Sequence, residues 1–282
     1  MSTEEKQNFP TSQDSEDILF PLNEREVSNY LKKYYKSGLP IELVGSASKK
    51  KIGRQLQCAK TINLSKLNGI IEYLPEELYI KVKAGTPIKN IEEKLKENNQ
   101  QLAFEPIDFG SLLDGKSDYG TAGGQVACNI SGPRRFKVGS VRDHVLGFRG
   151  VNGRGEIIKS GGVVVKNVTG YDLSKLMCGS FGTLAALTEI TFKVLPIPED
   201  TATLIIHNQK IESAIFFLDK SISSSNDISG AAFLPDEKVV GCSMNIQDTF
   251  KLNDLKQDGS ITAIRVEGPK KSIDQRIKNL IQ

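Results

Sequence analysis

The 282 residues are 38% hydrophobic and 25% charged with a net charge of +3, a globular profile with length for two modest domains. No apolar run approaches the ~20 residues that span a bilayer, which argues against a transmembrane helix. Two histidines, His144 and His207, leave little material for a histidine-based zinc site or a Ser-His-Asp triad. Cys58, Cys128, Cys178 and Cys242 lack metal-ligand spacing and read as buried, reduced thiols.

Residues 1–19 hold five acids against Lys6 and lack both the basic and the apolar parts of a secretory signal. They read as a disordered acidic tail on a cytoplasmic protein. In residues 24–36, Val27, Leu31 and Tyr34 recur at helical spacing and predict a helix, stopped by Gly38-Leu39-Pro40. Residues 41–44 predict a short strand, and residues 45–53 a loop of small and basic side chains. Residues 61–64 and 78–84 are strand-like, and residues 87–98 form a second amphipathic helix with Pro87 in its first turn.

Between residues 145 and 165 short β runs alternate with turns, and residues 151–158 predict a hairpin around Gly153-Arg154-Gly155. Residues 171–177 predict a short helix ended by Gly179, and residues 183–195 a long strand closed by Pro196 and Pro198. Beyond Pro198, strands are expected at 203–207, 231–233, 239–243 and 261–266, with helices at 211–221 and 272–281. Strands and helices mix without regular βαβ repetition, and no G-x-G-x-x-G opens a helix after a strand. The expected class is α+β, not a doubly wound dinucleotide-binding domain.

Glycine and positive charge are concentrated together. Sixteen of the 25 glycines lie between Gly110 and Gly182, and residues 120–182 carry nine basic residues against three acids, a net +6. Glycine costs up to ~1 kcal/mol in element interiors, so its concentration implies unusual backbone angles or close approach to a ligand. With excess positive charge, the simplest reading is backbone amides converging on a phosphate. A nucleic-acid surface would show clustered Lys/Arg with interleaved aromatics; here the basic residues stand mostly singly and Trp is absent, so nucleic acid is not the expected partner. A glycine-rich β domain without a ligand is the remaining alternative.

Several runs are recognisable as sequence motifs: Gly120-Thr-Ala-Gly-Gly124, Asn129-Ile-Ser-Gly-Pro-Arg-Arg135, Arg142-Asp-His-Val-Leu-Gly147, Val151-Asn-Gly-Arg-Gly155, Lys159-Ser-Gly-Gly162, Lys166-Asn-Val-Thr-Gly-Tyr-Asp-Leu173 and Gly179-Ser-Phe-Gly-Thr-Leu184. Together they resemble the FAD-binding E subunits of bacterial glycolate oxidases (glycolate dehydrogenases), within the vanillyl-alcohol-oxidase/p-cresol-methylhydroxylase (PCMH) flavoprotein superfamily. The resemblance spans residues 20–196 and is strongest from Gly120 onward. It implies a two-subdomain PCMH-type FAD-binding domain over residues 20–198, followed by a small, truncated α+β cap-like domain over residues 199–282.

By this resemblance, Val44, Gly45, Ser46, Ala47 and Ser48 form the loop that wraps the pyrophosphate. Small residues let the backbone approach, and the two serines add hydroxyl donors. Relatives carry more glycine there, so Ser46 and Ala47 are departures. The lysines that follow, Lys49 to Lys51, are either a solvated loop or an added attraction for phosphate. Gly120, Thr121, Gly123 and Gly124 supply a turn against which a flat ring system can lie. Asn129, Val145, Gly170 and Gly182 line the flavin slot, and Leu187 offers backbone groups to the isoalloxazine edge. Arg142 and Asp143 form an internal ion pair or meet the cofactor; Tyr171 with Asp172 opens a helix or does the same.

The phosphate loop has neither His nor Cys, which implies noncovalent FAD. No catalytic residue is identified. His144 stands where relatives tend to have an aromatic residue and can face the flavin without being expected as the base, and His207 is expected to be structural or at the surface. Phe181 stands where the catalytic D subunit carries Glu. The resemblance therefore implies the FAD-binding subunit of a glycolate oxidase, oxidising a 2-hydroxy acid to its keto product. Its expected partners are a catalytic flavin subunit and an iron–sulfur subunit, with peripheral membrane association through them. A self-sufficient FAD-dependent hydroxy-acid or alcohol oxidase and a non-catalytic assembly subunit are the alternatives.

Overall fold

The fold is a computed structural model that describes residues 18–54, 56–113, 118, 120–162, 170–235 and 259–281. The chain divides into two compact units, one reaching to Pro196 and one beginning at Ile197.

The first unit opens with β1 (Ile18–Leu19), α1 (Glu24–Ser37), β2 (Ile41–Val44) and β3 (Lys60–Asn63). The Asn23 side chain accepts from the Glu26 N–H, Glu24 and Glu26 complement the helix dipole, and Gly38 ends the helix in the left-handed region at φ +67°. The three strands form a parallel sheet in the order β1-β3-β2. The α1 stripe buries Val27 and Leu31 against Ile62, Leu64 and Leu67. Each such side chain contributes roughly 1.5–3 kcal/mol of burial. Val151 and Ala186 belong to the same cluster, so α1 is shared with the larger sheet.

That sheet is antiparallel and five-stranded. Its members are β4 (Ile70–Leu74), β5 (Tyr79–Lys83), and, after α2 (Ile88–Lys96), β6 (Gln100–Gln101), α3 (Phe109–Leu113), α4 (Ala122–Cys128), α5 (Arg135–Val138) and α6 (Val141–His144), the strands β7 (Val145–Asn152) and β8 (Ile157–Gly161); α7 (Leu173–Met177) leads into β9 (Ala185–Lys193). The spatial order is β4-β5-β9-β7-β8, and a short β10 (Leu195–Pro196) pairs with β6. Ile80, Val82, Phe148, Ile190 and Phe192 from the sheet meet Ile91, Leu95 and Val126 from α2 and α4 in the main core. The expected hairpin is present, with β7 and β8 paired from Gly147 opposite Gly161 to Val151 opposite Ile157.

Several short elements, β1, β6, α3, α5 and α6, carry no sequence expectation, and β4 and α4 differ from it for identifiable reasons. β4 gave no alternating signal because it is largely exposed along its length. The glycine-rich run expected as a turn is instead the first turn of α4: Thr121 is its N-cap and accepts from the Gly124 N–H, offsetting the poor helix propensity of Gly123 and Gly124.

The second unit is β11 (Asp200–His207), α8 (Ile211–Ile222), β12 (Ile228–Leu234), β13 (Ile261–Gly268) and α9 (Lys270–Ile281). Its antiparallel sheet has the order β11-β13-β12 and packs Ile228, Ile264 and Val266 against Ile273 of α9. The strand expected at 239–243 lies outside the described residues, as does the acidic tail through residue 17.

Candidate functional site

The site is built by two chain segments that zip together ahead of α4. The Ile88 N–H donates to the Gly120 carbonyl at 2.9 Å, Ala122 N–H to Thr86 at 2.9 Å, and Gly123 N–H to Ala84 at 2.7 Å. The Gly123 Cα approaches so closely that a β-carbon there would stand 3.0 Å from the Ala84 carbonyl oxygen. This seam fixes the start of α4 and commits its first amides internally. With the Gly124 N–H on the Thr121 hydroxyl at 3.3 Å, the helix start has little donor capacity left for an anion.

The loop after β2 lies against this seam. A β-carbon on Gly45 would overlap the Thr121 hydroxyl, so only glycine permits this approach. Ala47 adopts φ +61°, the left-handed region that favours glycine. Ser48 is 3% exposed. Ala47, Ser48 and Lys49 donate no backbone N–H to an acceptor among the described residues, in contrast to Lys50, which donates to the Ala47 carbonyl at 3.0 Å. Successive unengaged amides around a left-handed residue form a concave donor set suited to an anion.

The three lysines of this loop separate cleanly. Lys50 pairs with Glu42 at 2.9 Å, a 6%-exposed carboxylate that also accepts from Thr61. Lys51 donates to the Leu113 carbonyl at 3.0 Å. Lys49 is partly buried and has neither hydrogen bond nor ion pair among the described residues; its ammonium lies 3.8 Å from where a β-carbon on Gly124 would be. Burial pushes its pKa down, against the fields of Cys128 and Asp108.

The remaining expected residues are placed as follows. Val44 ends β2, and a β-carbon on Gly182 would stand 3.6 Å from the Leu43 side chain. Asn129 caps the C-terminus of α4 at φ +50°, and its side chain accepts from the Arg142 N–H at 3.0 Å. Asp143 closes a capping box with Ser140, accepting from its N–H at 2.8 Å and its hydroxyl at 3.1 Å, and these bonds hold its carboxyl below the usual range against the opposing effect of burial. No ion pair joins it to the exposed Arg142 among the described residues. Val145 and Leu187 turn their side chains into the core, leaving only backbone for a ligand. On β9, pairing with β5 stops at Glu189 opposite Lys83, and Ala84 N–H reaches the Thr188 carbonyl; residues 185–187 pair with β7 alone. Asp172 caps α7 through the Lys175 N–H, while Tyr171 is 92% exposed and Gly170 is exposed beside it, with no described contact to the Gly45–Thr121 cleft.

His144 is 2% exposed, packed on Phe104 at 5.6 Å between ring centroids, with Nε2 at 3.0 Å from the Val138 carbonyl oxygen. Burial lowers its pKa. It is a core histidine, not a wall of the cleft. His207 is exposed on β11. Among the described residues Cys58, Cys128 and Cys178 form no disulfide, and no cluster of His, Cys, Asp and Glu could hold a metal. Among those residues no helix is long and apolar enough to cross a membrane.

The sequence pointed to the loop and the glycine run but left the three lysines undivided and missed the 84–88 seam. Ala84-Gly85-Thr86 carries no chemical signal of its own, because it acts through backbone carbonyls.

A family model described as an FAD binding domain matches residues 16–161, just over half of the chain, and the chain belongs to that family. It is 45% identical over 165 residues to "Glycolate oxidase subunit GlcE" of Escherichia coli (strain K12), covering 58% of this chain and 45% of that protein. Over 264 residues it is 27% identical to "Glycolate oxidase subunit GlcD" of Bacillus subtilis (strain 168), covering 93% of this chain and 54% of that one. The chain thus spans about half the length of these relatives. An alkyldihydroxyacetonephosphate synthase superposes with a TM-score of 0.70 at 20% identity over 94% of this chain and 49% of its own, a likeness of fold. The fold is therefore the PCMH-type FAD-binding fold expected from the sequence, and FAD is its cofactor. The residues present fit that group: a Cβ-free approach at Gly45, unengaged loop amides and an unpaired lysine answer a diphosphate.

Proposed function

We propose that this chain is the FAD-binding subunit of a multi-subunit glycolate oxidase. The observation that carries this reading is the 45% identity to a glycolate oxidase subunit, together with the Gly45–Thr121 cleft. Residues 20–198 form its flavin domain and residues 199–282 a small cap-like domain. Bound FAD supplies a two-electron acceptor for oxidation of a 2-hydroxy acid. The loop of residues 44–48 holds the diphosphate, Thr121 and the Gly123–Gly124 turn of α4 form the floor, and the backbone of residues 185–187 borders the ring.

Removing the hydroxyl proton of such a substrate needs a base, and the carboxylate needs a cation. Neither histidine serves as that base: His144 is sealed in the core and His207 lies on the outer strand of the second unit. In this reading the base and carboxylate site come from a catalytic flavin subunit, and electrons leave through an iron–sulfur subunit. The assembly is cytoplasmic and meets the membrane only through its partners.

The test is anaerobic addition of glycolate or D-lactate to the purified chain, alone and in complex with its co-purifying proteins. Flavin reduction in the complex and none in the isolated chain is the expected result. Reduction by the isolated chain would overturn the subunit reading in favour of a self-sufficient oxidase.

A further inference from the structure

We propose that Lys49 supplies the positive charge that holds the diphosphate in the cleft, a role that rests on the FAD reading above. The usual source of charge for a bound diphosphate is the positive end of a helix, yet here the amides of Ala122 and Gly123 are engaged by Thr86 and Ala84, and that of Gly124 by Thr121. The neighbouring cations are engaged too, Lys50 by the buried Glu42 and Lys51 by the Leu113 carbonyl. Lys49 is the one lysine of the loop with no hydrogen bond or ion pair among the described residues. It is partly buried, its ammonium lies 3.8 Å from where a β-carbon on Gly124 would be, and it follows directly in sequence the unengaged amides of Ala47 and Ser48.

Asp108, the acid whose field reaches it, makes no ion pair with it among the described residues. Asp108 accepts from the Gly110 N–H through Oδ1 at 2.9 Å and from the Asp118 N–H through Oδ2 at 2.6 Å, and is occupied in its own turn. A partly buried ammonium with no hydrogen-bonded or ion-paired acceptor is costly in the empty protein and is satisfied when an anion arrives. The geometry thus selects a dinucleotide through charge at Lys49 and shape at Gly45.

The test titrates the apoprotein with FAD and with riboflavin, which lacks phosphate, following flavin fluorescence for Lys49→Met, Lys49→Arg and Lys50→Met. Lys49→Met is expected to weaken FAD binding roughly 10- to 100-fold, with riboflavin binding unchanged, and to flatten the salt dependence of FAD affinity. Lys49→Arg recovers part of the loss, and the apo melting temperature of Lys49→Met stays level or rises. FAD affinity of Lys49→Met within threefold of wild type would overturn the inference, as would equal weakening by Lys50→Met or a drop in the apo melting temperature of Lys49→Met. A wild-type chain that binds no FAD removes the FAD reading and this inference together; wild-type binding with an unaffected Lys49→Met removes the inference alone.

Discussion

Gly45 and Thr121 stand in direct contact, so close that the space a β-carbon on Gly45 would need is already filled by the Thr121 hydroxyl. One residue opens the loop after β2, and the other caps α4. Gly45→Ala must push the loop away from the helix start or turn the Thr121 side chain off its cap. Loss of that cap costs about 1 kcal/mol, and the displaced loop loses its aim at the diphosphate. Gly45→Ala is expected to weaken FAD binding at least tenfold in a fluorescence titration, while Gly45→Ala combined with Thr121→Ala, which removes the obstructing hydroxyl, regains part of it.

Ala47 offers the opposite case. It holds φ +61° with a β-carbon, which is unfavourable for an L-residue, so Ala47→Gly relieves strain of about 1 kcal/mol in the folded state. The chain entropy added to the unfolded state subtracts part of this. Thermal unfolding of Ala47→Gly is expected to shift upward by a few degrees, or at least not downward. A clear loss of stability would contradict the left-handed loop.

Much of this could be read from the residues. α1 announced itself through Val27, Leu31 and Tyr34 at helical spacing, and the β7–β8 hairpin through Gly153 and Gly155, because there local pattern and tertiary burial agree. β4 was invisible because its side chains face outward. α4 was read as a turn because Gly123 and Gly124 argue locally against a helix; the decisive groups are the Thr121 cap and the carbonyls of Ala84 and Thr86, which come from a distant segment. At the site, the sequence located the loop but could not separate Lys49 from Lys50 and Lys51. That separation depends on Glu42 and the Leu113 carbonyl, and neither is marked by spacing.

Burial governs the thiols. Cys178 is pushed up to about 12, Cys128 is raised as well, and Cys58 is buried. In a Cys242→Ser chain at pH 8, these three are expected to react with a thiol reagent at least tenfold more slowly than after denaturation. Fast stoichiometric labelling of the native chain would contradict their placement.

His144 makes stability pH-dependent. Burial lowers its folded-state pKa below the unfolded value of roughly 6.5. Both states are neutral above that value; below it the unfolded chain takes up a proton first, so stability falls as the pH drops from about 6.5 toward the folded pKa. The melting temperature of the wild type is expected to fall more between pH 7.5 and 5.5 than that of His144→Gln. Equal slopes would contradict the buried neutral imidazole.

The central claim, that the Gly45–Thr121 cleft holds FAD noncovalently, is tested most directly by denaturing the purified holoprotein and titrating FAD back into the refolded chain. The account predicts that all flavin is released on denaturation and that the refolded wild type regains the bound-flavin absorption spectrum, while Gly45→Ala does not. Flavin that stays attached to the denatured chain, or equal recovery by Gly45→Ala, would contradict it.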